Sequence, residues 1–368
     1  MKKKIVTLNL KIKLLQFVKK QILWFPQQYT KKPPLLSTIW DIHCINKQAD
    51  KINKNHKIDL IHCRSYIAAI SALRLKKNKG IKVLFDMRGF WADERIDGGI
   101  WKLSNPIFKL AYQFFKKKEK EFFTTFDHVI SLTENGKNEI LSWNLSNVNT
   151  EKITIIPCCV DLELFDPVKI SESKRLEQKQ KLGFVENDFV LGYVGSIGTW
   201  YMLSEMLDYF KALTTKHGQS KLLFVTNEKS ESIFDMAQQK GIHSNQIVVT
   251  SCLHKEVPLY ISLFNQSIFF IRPTYSKKAS SPTKQGEIMA MGIPLVCNAG
   301  IGDTDAIVQS YKSGTVINKL NNEEYVKNIE SESAFNKDLT IQGARDFFSL
   351  EEGVNRYSKV YYNLLSKK

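Results

Sequence analysis

Short apolar runs alternate with longer amphipathic segments along most of this chain. In its first part, runs of branched and aromatic residues predict strands at 60–63, 83–85, 128–132 and 153–156. Between them, apolar residues recur at helical spacing, which predicts helices at about 68–78, 106–125 and 133–142. Strands that alternate with helices in this order are typical of a parallel, doubly wound sheet.

The same alternation begins again after a polar, charge-rich segment at 168–187. It predicts further strands at 189–194, 222–225, 247–250, 268–271 and 295–296. Because 368 residues are many for a single core, we expect two α/β domains that face each other across a cleft. We assign residues 1–165 to the first domain, 166–345 to the second, and 346–368 to a C-terminal helix that packs back on the first.

Charge narrows the choice of partner, because the chain carries a formal net charge of +16. Such a charge favours a nucleic acid, an anionic lipid or a phosphorylated substrate. Two basic segments, 1–20 and 114–123, could each lie on an acidic membrane surface or pack as ordinary domain helices. Neither resembles a nucleic-acid-binding module, so we expect no nucleic-acid partner.

The remaining composition is typical of a protein from a reducing compartment. The six cysteines are scattered and lack the spacing of a disulfide framework or a zinc site. The longest apolar stretch, 260–271, is broken by two polar residues and is too short to cross a bilayer. We therefore expect a cytoplasmic location, with peripheral contact at the inner face of the membrane if a basic segment binds lipid.

The segment 272–296 has the pattern of a binding site. Ser281 and Pro282 predict the cap and first residue of a helix, and Gly292 predicts its end after about three turns. The free N–H groups of the first turn, the helix dipole and the ammonium of Lys284 are suited to a phosphate. Glu287 lies on the same helical face and could accept hydrogen bonds from ribose hydroxyls. The alternative is an ordinary cap beside a solvated lysine–glutamate pair.

A second group of polar residues follows the first predicted strands. The segment 86–99 contains six charged residues and three glycines, which favours a functional loop over an internal salt-bridged one. Arg88 and Arg95 are suited to phosphate, and the carboxylates to sugar hydroxyls. A lone histidine at a strand end has a structural alternative. The cleft candidates are His62, Arg64, Asp86, Asp93, Glu94 and Arg95.

A glycine turn opens the second domain. Gly195 and Gly198 follow the strand 189–194, and residues without a side chain let the backbone approach a phosphate closely. Any tight strand-to-helix turn could use the same glycines. No cation lies between 196 and 202, so Arg272 and Lys284 are the candidates for neutralising a diphosphate.

The sequence Ser-Pro-Thr-Lys-Gln-Gly-Glu-Ile-Met-Ala-Met-Gly-Ile-Pro at 281–294 resembles the donor segment of family 4 glycosyltransferases. These are retaining enzymes of the GT-B fold, which has two Rossmann-like domains. The resemblance implies that Glu287 binds the ribose of a nucleotide-sugar and that the preceding loop holds its diphosphate. It also implies a reaction without metal or cofactor. The family has an acidic residue eight positions before this glutamate, where the present chain has Ala279.

Segments 58–66, 86–99 and 155–165 extend the resemblance, but the opening strand and glycine-rich loop of the family have no counterpart. The implied function is transfer of a sugar to a glycan or lipid-linked acceptor. From their charge and position in the sequence, we assign catalytic roles to Arg88 and Lys284. The alternatives are a nucleotide-sugar epimerase of the same architecture, a non-catalytic nucleotide-binding relative and, more weakly, a nucleic-acid binder. The donor-binding candidates are Gly195, Gly198, Arg272, Ser281, Thr283 and Glu287.

Overall fold

A computed structural model describes residues 22–33, 35–331 and 335–366. The basic segment 1–20, for which a membrane-surface helix was one expectation, lies outside the described residues. The first helix among the described residues is α1 (Leu36–Asn55). Within the described ranges, no helix combines the length and apolar character needed to cross a membrane.

The first domain is a four-stranded parallel sheet with strand order β1-β2-β3-β4. Its strands are β1 (Leu60–Arg64), β2 (Lys82–Asp86), β3 (His128–Ser131) and β4 (Ile153–Ile155). Its further helices are α2 (Ser65–Lys79), α3 (Trp91–Asp97), α4 (Pro106–Thr125) and α5 (Glu134–Ser142). The expectation of a loop throughout 86–99 is wrong, since α3 occupies half of that segment.

The second domain is a six-stranded parallel sheet with strand order β10-β9-β8-β5-β6-β7. Its strands are β5 (Phe189–Val194), β6 (Ser220–Val225), β7 (Ile247–Thr250), β8 (Gln266–Phe269), β9 (Leu295–Asn298) and β10 (Gly314–Ile317). Its helices are α6 (Glu172–Lys181), α7 (Leu203–Lys216), α8 (Ser230–Gln239), α9 (Val257–Ile261), α10 (Thr283–Ala290), α11 (Thr304–Ser310), α12 (Asn322–Glu330) and α13 (Lys337–Gly343). The direction of winding reverses between β5 and β8, where sheets of this type bind ligands.

The two parallel sheets confirm the predicted α/β class with two domains. The predicted residue boundaries of the domains, and the shortening of the first one, stay predictions.

Each sheet is covered on both faces by side chains that the strand and helix patterns bring together. In the first domain, the ring of Phe85 on β2 contacts those of Tyr66 on α2 and Phe122 on α4. In the second, the buried residues of β5, β6 and α7 form the centre of one continuous apolar core. Strands buried on both faces are expected in parallel sheets, which explains their nearly continuous apolar runs.

The last helix, α14 (Leu350–Ser366), joins the two domains. The backbone N–H of Val160 donates to the carbonyl of Phe348 at 2.7 Å, so the chain crosses back just before α14 begins. Val360 of this helix is buried against Leu84 and Ile130 of the first sheet. Helix α14 therefore packs on one face of the first sheet.

Candidate functional site

Helix α10 begins one residue later than the sequence predicts. Pro282 precedes the helix, and Ser281 accepts a hydrogen bond from the backbone N–H of Cys158 at 3.2 Å instead of capping α10. The helix has eight residues, about two turns. Gly292 follows it with a left-handed φ of 64°, which ends it where a glycine is favoured.

Lys284, in the first turn of α10, is buried, and its ammonium has no hydrogen-bond partner in the part of the chain that the structure describes. Its Nζ lies 4.0 Å from the ring centre of Tyr193 and 3.8 Å from that of Tyr201. Burial lowers the pKa of Lys284 to about 7, although the nearby carboxylate of Glu287 opposes that shift. Burying an ammonium without a hydrogen bond costs free energy, and an anionic ligand would relieve that cost.

Gly195 places a backbone segment without a side chain next to the ammonium of Lys284. It follows β5 with a φ of 108°, a conformation that favours glycine. A Cβ atom at this position would lie 3.1 Å from the Nζ of Lys284. The missing side chain therefore leaves the space beside the buried ammonium free for a ligand.

A pocket of about 250 Å³ opens next to Gly195, beyond the carboxyl ends of β5, β6 and β7. Asn227 after β6 and His254 after β7 line it together with Glu287 of α10. The Oε1 atom of Glu287 lies 3.4 Å from Nε2 of His254. Burial raises the pKa of Glu287, while His254 and Lys284 act in the opposite direction. The pocket thus has a partly buried acceptor at one wall and polar groups at the others.

Arg88 reaches this region from the first domain. Its Nη2 donates to Sγ of Cys158 at 3.2 Å, and Cys158 in turn contacts Ser281 immediately before α10. Burial opposes the charge of Arg88, but Cys158 and Asp86 outweigh it, so the pKa of Arg88 is raised. Arg88 has a φ of 62°, an unusual conformation for a residue with a side chain and one that is common at functional sites. A guanidinium that stays charged therefore lies across the domain junction from the start of α10.

Asp86 and His62 lie together behind Arg88. The hydroxyl of Tyr357 on α14 donates to Oδ2 of Asp86 at 3.1 Å, and Nε2 of His62 lies 3.8 Å from the same oxygen. The other oxygen, Oδ1, is buried and has no partner among the residues described. Nδ1 of His62 is 2.6 Å from the hydroxyl of Tyr361. The C-terminal helix therefore contacts both cleft candidates, of which Asp86 is buried and His62 is exposed.

Three other cleft candidates have different surroundings. Asp93 is buried in the first domain, where it accepts from Tyr112 at 2.9 Å and pairs with Lys116 at 2.7 Å. Arg95 places its guanidinium 4.7 Å from the ring centre of Trp91. Glu94 pairs with Lys277 of the second domain at 2.9 Å. Asp93 matches the alternative of an internal ion pair, with a lysine as its partner.

Four predicted residues are exposed and make no contact with this cluster in the described part of the chain. They are Arg64, Gly198, Arg272 and Thr283. Gly198 has open space where a side chain would be. The backbone N–H of Arg272 donates to the carbonyl of Trp200, which ties its loop to the turn after β5. Their roles in donor binding stay predictions.

A short segment, Tyr275–Ala279, closes the junction between the domains. The backbone N–H of Ser276 donates to Asp97, and Lys278 pairs with Glu139 at 2.7 Å. Ala279 is fully buried among the core residues of the first domain. The loop before α10 is therefore held by the opposite domain.

Sequence reasoning missed several residues of the cluster. Tyr193 lies inside a predicted strand and Tyr201 follows the glycine turn, although an aromatic residue on each side of such a turn is a usable signal. Cys158 and His254 carried no pattern, because their position depends on the way the two domains meet. Within the described ranges, His, Cys, Asp and Glu side chains form no group of three or more that could hold a metal ion.

Two family sequence models match the chain. The model described as Glycosyltransferase Family 4 covers residues 17–164, and the one described as Glycosyl transferases group 1 covers residues 174–334. A curated relative, the capsular polysaccharide biosynthesis glycosyltransferase CapM of Staphylococcus aureus, is 26% identical over 192 residues, which are 52% of this chain and 48% of CapM. The chain thus spans about half the length of the curated relatives that it matches.

Solved structures resemble most of the chain. A glycosyltransferase from Rickettsia africae has a TM-score of 0.71 and 16% identity, with 96% of this chain and 88% of that one covered. Alr3699/HepE from Anabaena, solved with UDP, has a TM-score of 0.66 and 13% identity, with 92% and 86% covered. At such identities the likeness concerns the fold, and it agrees with the two parallel sheets described above.

Proposed function

Because the chain belongs to the glycosyltransferases of family 4, as the models matched to its two halves show, we propose that it transfers a sugar from a nucleotide-sugar to an acceptor hydroxyl. The acceptor would be a growing surface glycan or a lipid-linked sugar, in keeping with the capsular polysaccharide role named for one relative. A structural neighbour has been solved with UDP and with UDP-glucose, which supports a nucleoside diphosphate donor.

The observation that carries this proposal is the buried, unpaired ammonium of Lys284 beside Gly195. A diphosphate placed there would contact the ammonium, the N-terminal N–H groups of α10 and the bare backbone of the turn after β5. Glu287 would accept hydrogen bonds from the ribose hydroxyls in the adjoining pocket. Without an anionic ligand, the buried ammonium would lower the stability of the folded protein.

The groups around this position fit the chemistry of sugar transfer. The bond between the anomeric carbon and the diphosphate breaks, a bond to the acceptor oxygen forms, and the acceptor proton passes to the departing phosphate. Negative charge grows on the leaving diphosphate, where Lys284 and the helix dipole would stabilise it. Arg88, held by Cys158, would add a second positive charge from the opposite domain. The family resemblance implies attack from the leaving-group face with retention of configuration.

Calorimetric titration with a panel of nucleotide-sugars tests the proposal. We expect one donor to bind the wild-type protein, and Glu287→Gln to weaken that binding about tenfold or more, because a buried carboxylate acceptor is lost. The matched control is Glu323→Gln, which changes the same charge at an exposed position of α12. Equal affinity of wild type and Glu287→Gln would remove Glu287 from the site.

Product analysis separates transfer from the alternative reaction. Mass spectrometry with and without an acceptor should show a new glycoside only when the acceptor is present. An isomerised nucleotide-sugar without acceptor would instead identify an epimerase. Donor binding with neither product would indicate a nucleotide-binding protein without turnover.

A further inference from the structure

Five apolar side chains are exposed within fifteen residues at the start of α4. Their exposed fractions are 55% for Ile100, 45% for Leu103, 61% for Ile107, 67% for Leu110 and 47% for Phe114. Single exposed apolar residues are common on protein surfaces, but a contiguous group is typical of an interaction site.

The helix presents the last three of these residues on one side by its own periodicity. Ile107, Leu110 and Phe114 are spaced by three and four positions, which places them on one face of α4. Phe115 and Phe122, on an adjoining side of the helix, are buried in the core of the first domain. Asn105 caps the helix by accepting from the N–H of Ile107 at 2.9 Å, so the start of this face is fixed. The exposure is therefore a property of a packed helix.

Positive charge surrounds the same face. Residues 98–118 contain five lysines and no acidic residue. Lys102, Lys109 and Lys117 are exposed alongside the apolar side chains. We call these three lysines with Ile100, Leu103, Ile107, Leu110 and Phe114 the basic–apolar face. Helix α14 also exposes apolar residues, but Glu351 and Glu352 accompany them there.

The basic–apolar face begins at the domain junction. A Cβ atom on Gly98 would lie 3.0 Å from the ring of Trp200, which belongs to the second domain. Ile100 follows two residues later at the rim. Whatever binds this face is therefore held close to the entrance between the domains.

We propose that the basic–apolar face docks on the anionic headgroup layer of a lipid bilayer. Apolar side chains enter the boundary between headgroups and acyl chains, while the lysines pair with anionic lipids. The charge complementarity favours this occupant over a second copy of the chain, because two such faces would bring like charges together. One further step rests on the proposed function: docking presents the domain junction to a lipid-linked acceptor.

Vesicle flotation of the chain of 368 residues tests the docking. We expect binding to vesicles of phosphatidylcholine mixed with phosphatidylglycerol, and little binding to phosphatidylcholine alone. Each of Lys102→Gln, Lys109→Gln and Lys117→Gln should weaken vesicle binding about fivefold. Added salt should also weaken binding, because it screens the attraction between the lysines and the anionic lipids. The triple variant Ile107→Ser, Leu110→Ser, Phe114→Ser should lose most of its binding to the anionic vesicles. The matched control replaces Val354, Tyr362 and Leu365 of α14, which are similarly exposed.

Several outcomes would overturn the proposal. These are equal binding to both vesicle types, an equal loss in the α14 control, or binding that disappears only when the lysines of residues 1–20 are replaced. A wild-type dimer in lipid-free solution that the triple variant converts to a monomer would identify the face as an interface between copies. Calorimetry with the nucleotide-sugar, without vesicles, separates the two proposals, because the triple variant should bind the donor as wild type does.

Discussion

Replacing Lys284 by methionine should make the ligand-free protein more stable while impairing donor binding. The side chain of methionine has a similar length and no charge to desolvate. In the unfolded chain the amine has its ordinary pKa of 10.5, and burial lowers the pKa to about 7 in the folded protein. The penalty is absent above pH 10.5, where the amine is neutral in both states. It grows as the pH falls and is complete below about pH 7.

The size of the effect follows from this shift. A difference of about 3.5 pKa units corresponds to about 5 kcal/mol of lost stability at neutral pH and below. The contacts of the ammonium with the rings of Tyr193 and Tyr201 favour the charged form and so act against this penalty. Lys284→Met should therefore raise the free energy of unfolding by up to about 5 kcal/mol at pH 7. Loss of the charged contact should weaken donor binding about tenfold to a hundredfold.

Urea unfolding at pH 7 measures the first quantity, and calorimetry measures the second. The matched control is Lys179→Met, because Lys179 is also buried but donates to the carbonyl of Glu186 at 2.8 Å. That variant should be destabilised, since it leaves a carbonyl without its partner. A Lys284→Met protein that is less stable than wild type and binds the donor normally would refute the assignment of Lys284 to an anion site.

Two further predictions follow from the same junction. Donor affinity should fall about tenfold between about pH 6 and about pH 8, because the charged fraction of Lys284 in the free protein falls through its pKa of about 7 and binding must take up a proton. Calorimetry in two buffers of different ionisation enthalpy measures that uptake, and a pH-independent affinity would contradict it. Gly136→Ala should cost about 1–3 kcal/mol of stability, since its Cβ would lie 2.8 Å from that of Ala279 in the other domain. Gly218→Ala, with open space at the same position, is the control for urea unfolding, and equal stability of the two variants would show that the domains do not meet as described.

Much of the fold can be read from the sequence, because buried parallel strands and amphipathic helices leave strong periodic patterns. The predicted helix at 106–125 coincides with α4, whose apolar residues alternate between a buried face and solvent. Strand β10 escaped prediction, since only Ile317 of its four residues is buried and the run is too short to stand out. Its first residue, Gly314, has a φ of 143° and lies so close to Leu295 that a side chain there would collide with the backbone. That constraint comes from the neighbouring strand and leaves no periodic trace.

The candidate site is less accessible to sequence reasoning, because its contacts join distant segments. The spacing of Lys284 and Glu287 on one helical face was predicted from helical geometry alone. The environment of Lys284 depends on Tyr193 and Tyr201, which reach it from β5 and from the turn that follows. The position of Arg88 depends on Cys158, seventy residues away. No local pattern encodes such pairs.

The buried position of Ala279 explains why an acidic residue is absent there. In the related family an acid stands at this position, eight residues before the glutamate that corresponds to Glu287. Here the residue is fully buried among the core of the first domain, next to Gly136. A carboxylate at this position would be desolvated among apolar groups, at a cost of several kcal/mol. The close contact between the domains and the loss of the acid are therefore two aspects of one arrangement. A sugar ring bound by this chain would therefore need other partners, and we predict that Arg88 and Asp86 of the first domain, which carry suitable donors and acceptors, are among them.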